Sequence, residues 1–288
     1  MIRRSILVLS ILLSIAFATL RERKLLRLAQ IRKGPEMVGP IGTLQPISDG
    51  LKLIIKREIL WNSEVSILIV PGVLLFFIFM FWLPMTSSMV YINLGCLYLL
   101  ALGSIAGLCV LALGWFGGRS YSYIGGLRAA AQIISYEVVL SFFFILFCSI
   151  EWSFNLFSFK FHWCRMIVGL ILIFFLWMVT IIAETNRAPF DISEGESELV
   201  RGFNTEYSRV IFVILFMSEY GIIAGYSLLT SYFFLGRWSF GPLFILLILW
   251  IRRCFPRKRY DTLMALLWLY YFPLILFLLA KWVFLLNS

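Results

Sequence analysis

Six carboxylates lie between positions 184 and 206 of this chain, flanked by two segments that are long and apolar enough to cross a bilayer. They are Glu184, Asp191, Glu194, Glu196, Glu198 and Glu206, in the stretch A-E-T-N-R-A-P-F-D-I-S-E-G-E-S-E-L-V-R-G-F-N-T-E-Y that begins at Ala183. The whole chain has only 15 acidic residues. Mutual repulsion and desolvation raise the pKa of crowded carboxyl groups toward neutrality. The first hypothesis is therefore that this stretch takes up and releases protons.

Two more carboxylates, Glu137 and Glu219, fall inside predicted membrane spans, where an ionisable group is costly and thus a functional candidate. Together with Glu184 they could form a line of acids that exchange protons through water. The structural alternative is a buried ion pair. Arg128 is close to Glu137 in the sequence, whereas Glu219 has no nearby cation.

The composition predicts an all-α integral membrane protein. Apolar residues make up 61% of the 288 residues and charged residues only 14%, and the mean hydropathy is +0.94, whereas charged residues make up about 25% of a soluble protein. The five cysteines form no C-x-x-C pair and His162 is the only histidine. Iron–sulfur, zinc or haem ligation by this chain alone is therefore not expected.

Apolar runs of sufficient length predict eight transmembrane helices in one polytopic domain that covers residues 1–288. The spans are residues 2–20, 64–84, 90–114, 129–150, 163–184, 207–234, 238–253 and 262–286. With eight spans, one side of the membrane receives 19 of the 25 basic residues, of which five lie between positions 252 and 259. Without the short seventh span these five would change sides, against the positive-inside rule. The net charge of +10 thus needs no nucleic-acid partner.

The N-terminal run has two interpretations. Arg3 and Arg4, followed by apolar residues up to Ala18, are also typical of a cleaved secretory signal. The basic residues that follow, and the need for a first span to balance the topology, favour a retained helix.

The polar segment between the first two spans divides into two parts. Gly and Pro residues near positions 34–42 predict that the first part, from Arg21, is an irregular loop. From Thr43 to Asn62, an amphipathic helix in the membrane interface is predicted. Such a helix either anchors the chain on lipid or forms the lip of an opening that admits an amphiphile. Its apolar stripe holds Ile47, Leu51, Ile54 and Ile55, and its polar stripe Asp49, Lys52 and Lys56.

Six ordered sequence blocks resemble subunit 1 of respiratory complex I, the NADH:ubiquinone oxidoreductase. They are E-R-K at 22–24, Q-I-R-K-G-P at 30–35, V-G-P-I-G-T-L-Q-P at 38–46, G-G-L-R-A-A-A-Q-I-I-S-Y-E at 125–137, A-E-T-N-R-A-P-F-D-I-S-E-G-E-S-E-L-V at 183–200 and P-R-K-R-Y-D-T-L-M at 256–264. The resemblance extends from about residue 15 to residue 275, so it covers nearly the whole chain.

The resemblance implies an eight-helix subunit at the heel of the membrane arm, against the peripheral arm, whose positive-side loops help to form a ubiquinone chamber. By position, Arg23, Asp49 and Arg187 would line or shape that chamber, with Arg252 and Arg257 as cationic companions. The coupling of quinone reduction to proton pumping would then involve Glu137, Glu184, Asp191, Glu194, Glu196 and Glu219. Glu198 and Glu206 would contact neighbouring subunits.

No complete active site is expected on this chain, because it has neither a Gly-rich dinucleotide fingerprint nor a cluster-binding set of cysteines. FMN and iron–sulfur clusters are expected on partner subunits, with ubiquinone as substrate. The short chain suggests the mitochondrial inner membrane, with a bacterial plasma membrane as the alternative. Two other functions stay open: the membrane subunit of an energy-converting hydrogenase, and a free-standing proton-coupled transporter. Inverted repeats would favour the transporter, and the sequence shows no internal duplication.

Overall fold

The computed structural model describes residues 2–56, 94–156, 167–191, 202–204, 207 and 209–287. All regular secondary structure in these ranges is helical, as the sequence predicts. A π-helical segment, Leu266–Tyr271, joins the last two helices into one continuous rod. The helices are α1 (Ile2–Ala29), α2 (Gln45–Ile55), α3 (Gly95–Phe116), α4 (Ser120–Glu151), α5 (Ile167–Glu184), α6 (Arg209–Leu235), α7 (Gly241–Cys254), α8 (Tyr260–Ala265) and α9 (Phe272–Asn287).

Four helical stretches in the described ranges are long and apolar enough to cross a membrane: Gly95–Phe116, Ser120–Ile150, Ile211–Leu235 and Tyr260–Phe284. They correspond to the third, fourth, sixth and eighth predicted spans. Ile171–Glu184 is apolar but shorter. The predicted second span, residues 64–84, lies outside the described residues.

Two helix boundaries differ from the sequence prediction. The expected irregular loop from Arg21 is wrong as far as Ala29, because α1 continues to that residue. Arg, Glu, Lys, Leu and Ala all favour helix, and the first strong breakers are Gly34 and Pro35. Likewise, α4 begins at Ser120, well before position 129. Hydropathy indicates where a helix leaves the hydrocarbon region of the bilayer. The helix itself can continue beyond that point.

An aromatic cluster around Trp177 of α5 holds α4, α5 and α6 together. Its indole makes edge-to-face contacts with Phe143 and Phe147 of α4, at centroid distances of 5.5 and 5.4 Å, and with Phe233 of α6 at 5.7 Å. All four side chains are fully buried. Because each such pair contributes about 0.5–1.5 kcal/mol beyond its area, this cluster gives the three helices a fixed relative position.

Helices α3 and α4 pack closely because two glycines meet at their crossing. A Cβ added to Gly114 would lie 2.7 Å from the Cα atom of Gly126. Only glycine permits this backbone approach, which is a common device between membrane helices. The turn that joins the two helices contains Gly118 with a φ of 67°, a conformation that favours glycine.

Helices α1, α2, α6 and α7 form the other side of the molecule. α1 packs against α2, α6 and α7, and α2 also packs against α6. Pro46 lies in the first turn of α2, where a missing N–H costs nothing. The amphipathic pattern from Thr43 to Asn62 is thus confirmed as a helix over Gln45–Ile55, and its interfacial location stays a prediction.

Candidate functional site

A cavity of about 570 Å³ lies between α1, α2, α6 and the segments that follow α5 and α7. One part of its wall is apolar, with Ile15, Leu53, Phe212, Phe216 and Met217, and another part is charged. The volume lies within the range of about 300–1,000 Å³ that is typical of small-molecule sites. The charged part consists of four arginines and three carboxylates: Arg23, Arg187, Arg252, Arg257, Glu22, Asp49 and Asp191.

Helix α1 contributes a continuous stripe to this wall. Ile15, Ala16, Thr19, Glu22, Arg23 and Leu26 all line the cavity, and their spacing of three or four residues places them on one helical face. The stripe begins within the apolar run and ends in the basic segment. It exists only because α1 continues beyond the hydrophobic run.

Helix α2 faces the cavity with Pro46, Asp49, Gly50 and Leu53. The Asp49 carboxylate accepts a hydrogen bond from Arg23 Nη1 at 2.6 Å and another from Gln45 Nε2 at 2.9 Å. The ion pair is half exposed on the arginine side, so it contributes more to geometry than to stability. It links α2 to α1 beside the cavity.

Arg187 and Glu219 form an ion pair beside the cavity, although 32 residues separate them in the sequence. Arg187 Nη2 lies 2.9 Å from Glu219 Oε2, and the arginine side chain is 8% exposed. The guanidinium also lies over the Tyr220 ring, 4.6 Å from its centroid. A planar cation held by a carboxylate and an aromatic face has a restricted orientation.

Asp191 connects the segment after α5 to the segment after α7. Its Oδ2 lies 3.1 Å from Arg257 Nη2, and the backbone N–H of Lys258 donates to the Pro189 carbonyl oxygen at 3.0 Å. Asp191 is 7% exposed. A side-chain contact and a backbone contact therefore hold the two segments together at the cavity wall.

A fourth ion pair joins Arg252, in the last turn of α7, to Glu22 of α1. Glu22 is only 3% exposed. When Glu219 is included, the described residues around the cavity carry four arginines and four carboxylates, each arginine paired with one carboxylate. Among the described residues, positive and negative side chains at the cavity are therefore equal in number, and a charge that appeared inside it would act on these pairs.

A second polar cluster lies apart from the cavity wall. The carboxyl groups of Glu137 and Glu184 are within electrostatic range of each other and of the Tyr226 hydroxyl. Glu137 faces α3, where a Cβ on Gly103 would lie 3.4 Å from Glu137 Oε1. Glu184 ends α5 and is 7% exposed. Its Oε2 receives no hydrogen bond from the part of the chain that the structure describes.

The structure thus separates the predicted site residues into two groups. The five residues expected at the quinone chamber, Arg23, Asp49, Arg187, Arg252 and Arg257, all line one cavity. Of the expected proton-coupling acids, Asp191 and Glu219 lie at that cavity, and Glu137 and Glu184 lie in the second cluster. Glu194, Glu196, Glu198 and Glu206 lie outside the described residues.

Sequence reasoning missed Glu22 and Gln132. Glu22 would have been found by extending α1 to Ala29 and reading its stripe. Gln132 is fully buried in α4 and donates hydrogen bonds to two carbonyl oxygens of the segment that carries Arg187. No sequence spacing connects these positions, because their contact depends on how α4 and α5 pack.

Within the described ranges, no group of three or more His, Cys, Asp and Glu side chains is arranged to hold a metal ion. The positive charges of the cavity wall come from its four arginines. Arginine side chains stay protonated in proteins and bind oxygen-rich or anionic groups through several N–H donors.

Comparison with known proteins gives one consistent answer. A family model described as NADH dehydrogenase matches residues 2–283. NADH-ubiquinone oxidoreductase chain 1 of Zaedyus pichiy is 42% identical in a match that covers 94% of this chain and 91% of that protein. The proteins of the same name from Myrmecophaga tridactyla and Tamias sibiricus are each 41% identical, over 97% and 94% of this chain and 94% and 92% of their own lengths.

Proposed function

The chain belongs to the NADH dehydrogenase family, and on this premise we propose that it is a core membrane subunit of a proton-pumping NADH–ubiquinone oxidoreductase. Partner subunits of the peripheral and membrane arms supply NADH oxidation, FMN and iron–sulfur clusters. This chain supplies the chamber in which ubiquinone is reduced and the first charged groups that respond to the reduction.

The observation that carries this proposal is the composition of the cavity wall. Ubiquinone has a polar head with two carbonyl oxygens and a long apolar tail, so its site needs both kinds of surface. Phe212, Phe216 and Met217 of α6 offer the apolar part. Arg23 and Arg187 offer N–H donors for a carbonyl oxygen, or for the negative charge that develops on it.

The entrance is proposed to lie between α1 and α2. Ile47, Leu51 and Ile55 of α2 point away from the cavity and are 48%, 56% and 79% exposed. An exposed apolar stripe on a short helix is typical of a helix that lies on the lipid surface. Such a helix would let an amphiphile pass from the bilayer to the charged end of the cavity.

Reduction of ubiquinone to ubiquinol takes two electrons and two protons. Electrons that arrive first place negative charge among four balanced ion pairs, which draws arginines toward the quinone and frees their carboxylates. Glu219, released from Arg187, can then bind a proton. Glu184 is three residues before Arg187, so a movement of Arg187 can change the electrostatic environment of the Glu137–Glu184 cluster. Glu194 and Glu196 of the same acidic stretch would also take part in proton transfer.

The chain crosses the mitochondrial inner membrane eight times and binds no cofactor of its own. Its positive-side loops face the peripheral arm, and Glu198 and Glu206 contact neighbouring subunits. The exposed apolar faces of the described helices support a lipid-embedded location.

The test is competitive labelling of the native assembly, purified in mild detergent, with a photoreactive ubiquinone analogue. We expect labelling within residues 20–60, suppressed by excess ubiquinone and accompanied by co-purifying NADH dehydrogenase activity. Arg23→Gln should weaken the labelling, because Arg23 lines the cavity. Arg27→Gln is the matched control: it removes the same charge one turn further along α1, from an exposed side chain outside the cavity wall.

An assembly without flavin and without competitive labelling would contradict the proposal. In that case the membrane subunit of an energy-converting hydrogenase, which needs no quinone cavity, or a free-standing proton-coupled transporter would become the better assignment. Co-purifying cluster-containing subunits would distinguish the first from the second.

A further inference from the structure

Gln132 lies on α4, away from the cavity wall, and is completely buried. We propose that it is a positioning residue, which holds the segment bearing Arg187 and Asp191 in the place where both can reach the substrate. The inference rests on the proposed function, because it assigns Gln132 to the quinone chamber.

The two hydrogen bonds of Gln132 bracket the segment. Its Nε2 donates to the Ala183 carbonyl oxygen at 2.8 Å and to the Phe190 carbonyl oxygen at 3.0 Å. Ala183 lies in the last turn of α5, and Phe190 precedes Asp191. One side-chain amide therefore closes a short loop whose middle contains Arg187.

The orientation of the amide follows from its partners. Both groups that face Nε2 are carbonyl oxygens, which only accept hydrogen bonds, so a flipped amide would set three acceptors against each other. Gln132 Oε1 is buried and has no hydrogen-bond partner among the described residues. The side chain is thus held by its donors, and a variant that keeps the volume but lacks the N–H groups loses the whole interaction.

Tyr136 supports the same segment one turn further along α4. Its ring packs against that of Phe190 at a centroid distance of 6.4 Å. Further along, α4 contributes Phe143 and Phe147 to the cluster around Trp177. The amide therefore projects from a helix that is fixed to α5 and α6, and it can impose a position on the segment rather than follow it.

The test is the steady-state kinetics of NADH:ubiquinone reduction in the assembled complex. Gln132→Met keeps the length of the side chain and removes both donors. We expect the KM for ubiquinone to rise roughly tenfold, the size of effect that follows from one or two lost buried hydrogen bonds. The amount of assembled complex and kcat should change much less. A purely structural role would lower assembly and turnover together and leave KM unchanged.

Ser135→Ala is the matched control, since Ser135 is a buried neighbour on α4 whose hydroxyl donates to the Gln132 backbone carbonyl oxygen and lies 3.6 Å from Met264 Sδ, with no hydrogen bond to residues 183–191. It should leave KM as it is. If the methionine variant fails to assemble, Gln132→Asn keeps an amide that is one methylene too short to reach both carbonyl oxygens. This variant should show an intermediate KM.

A thermodynamic cycle with Arg187→Met separates this inference from the proposed function. If Gln132 acts through Arg187, Gln132→Met adds little to KM once Arg187 has been replaced. An unchanged KM in the Gln132 variants, together with a raised KM in Arg187→Met, would overturn the positioning role alone. An unchanged KM in all of them would overturn the quinone chamber as well.

Discussion

Among the described residues, each arginine at the cavity is paired with a carboxylate, so a single substitution there also affects the partner's charge. A buried ion pair adds little net stability, whereas removal of one partner leaves an uncompensated charge. The Arg187–Glu219 pair is the clearest case, because the arginine is 8% exposed and the glutamate 21% exposed. Loss of Glu219 would thus leave the Arg187 charge uncompensated, and the partial exposure of the glutamate limits the cost in stability.

Glu219→Gln should leave the complex assembled but lower proton pumping and ubiquinone reduction together. The amide still accepts a hydrogen bond from Arg187 but neither neutralises it nor binds a proton. The loss of local stability should be about 2 kcal/mol, below the fully buried case because Glu219 keeps some solvent contact. The measurement is pumping per NADH oxidised, together with the rate, in reconstituted vesicles.

The control for this substitution is Ser218→Ala, at the preceding position of α6. Its hydroxyl is buried and, within the described part of the chain, donates only to the Leu215 carbonyl oxygen of its own helix. We expect normal pumping and turnover in that variant. Normal pumping at normal turnover in Glu219→Gln would exclude Glu219 from the coupling path.

At the level of helices, the sequence predicted more of the apolar framework than of the site. Span one and spans three to eight each coincide with a helix in the described ranges, because long apolar runs have few other stable conformations in lipid. The chamber residues came from the family resemblance, not from spacing. The pairs Arg187–Glu219 and Gln132–Phe190 could not be predicted, since each joins a helix to the segment after α5 and forms only through tertiary packing.

The glycine crossing of α3 and α4 gives a prediction for these two elements. Gly114→Ala should force the helices apart, because its Cβ would lie 2.7 Å from the backbone of Gly126, which cannot rotate away. Overpacking of this kind costs about 1–3 kcal/mol. Thermal unfolding of the purified complex, together with the yield of assembled complex, should report the loss.

Gly107→Ala is the comparison on the same helix. There the added Cβ would meet side-chain atoms of Ile133 and Ile134 at 3.4 Å, an ordinary van der Waals contact. Since alanine favours helix more than glycine does, stability should stay equal or rise slightly. Equal stability of the Gly114 and Gly107 variants would mean that the two helices are free to separate.

In the whole molecule, the cavity and the second acidic cluster lie at two ends of one short segment. Residues 184–191 begin with Glu184 of the cluster and end with Asp191 of the cavity, and Arg187 lies between them. Under the proposed function, a displacement of Arg187 by a charge at the cavity would move this segment and so act on the cluster. This arrangement makes the side of the membrane on which the segment lies important for function.

The side of the membrane on which the segment after α7 lies depends on whether helix α7 crosses the bilayer. This helix has 14 residues, so it is about 21 Å long and falls short of the roughly 30 Å hydrocarbon core of a bilayer. We nevertheless expect it to cross, through a locally thinned bilayer, because Arg252 in its last turn and Arg257 just after it must reach the same cavity as Arg23. Three crossings would then separate Phe154, after α4, from the exposed Cys254.

Labelling with a membrane-impermeant maleimide, in vesicles of known orientation, tests this expectation. Cys254 and a Phe154→Cys variant that carries Cys254→Ser should react from opposite sides, with Cys109 and Cys164 replaced by serine in both. If α7 lies in the surface instead, only α5 and α6 cross between the two positions, and both thiols react from the same side. The segment after α7 would then be separated from Asp191 by the bilayer, which the contact between Arg257 and Asp191 does not allow. Opposite reactivity would establish that a helix of 14 residues crosses this membrane and delivers two arginines to the cavity.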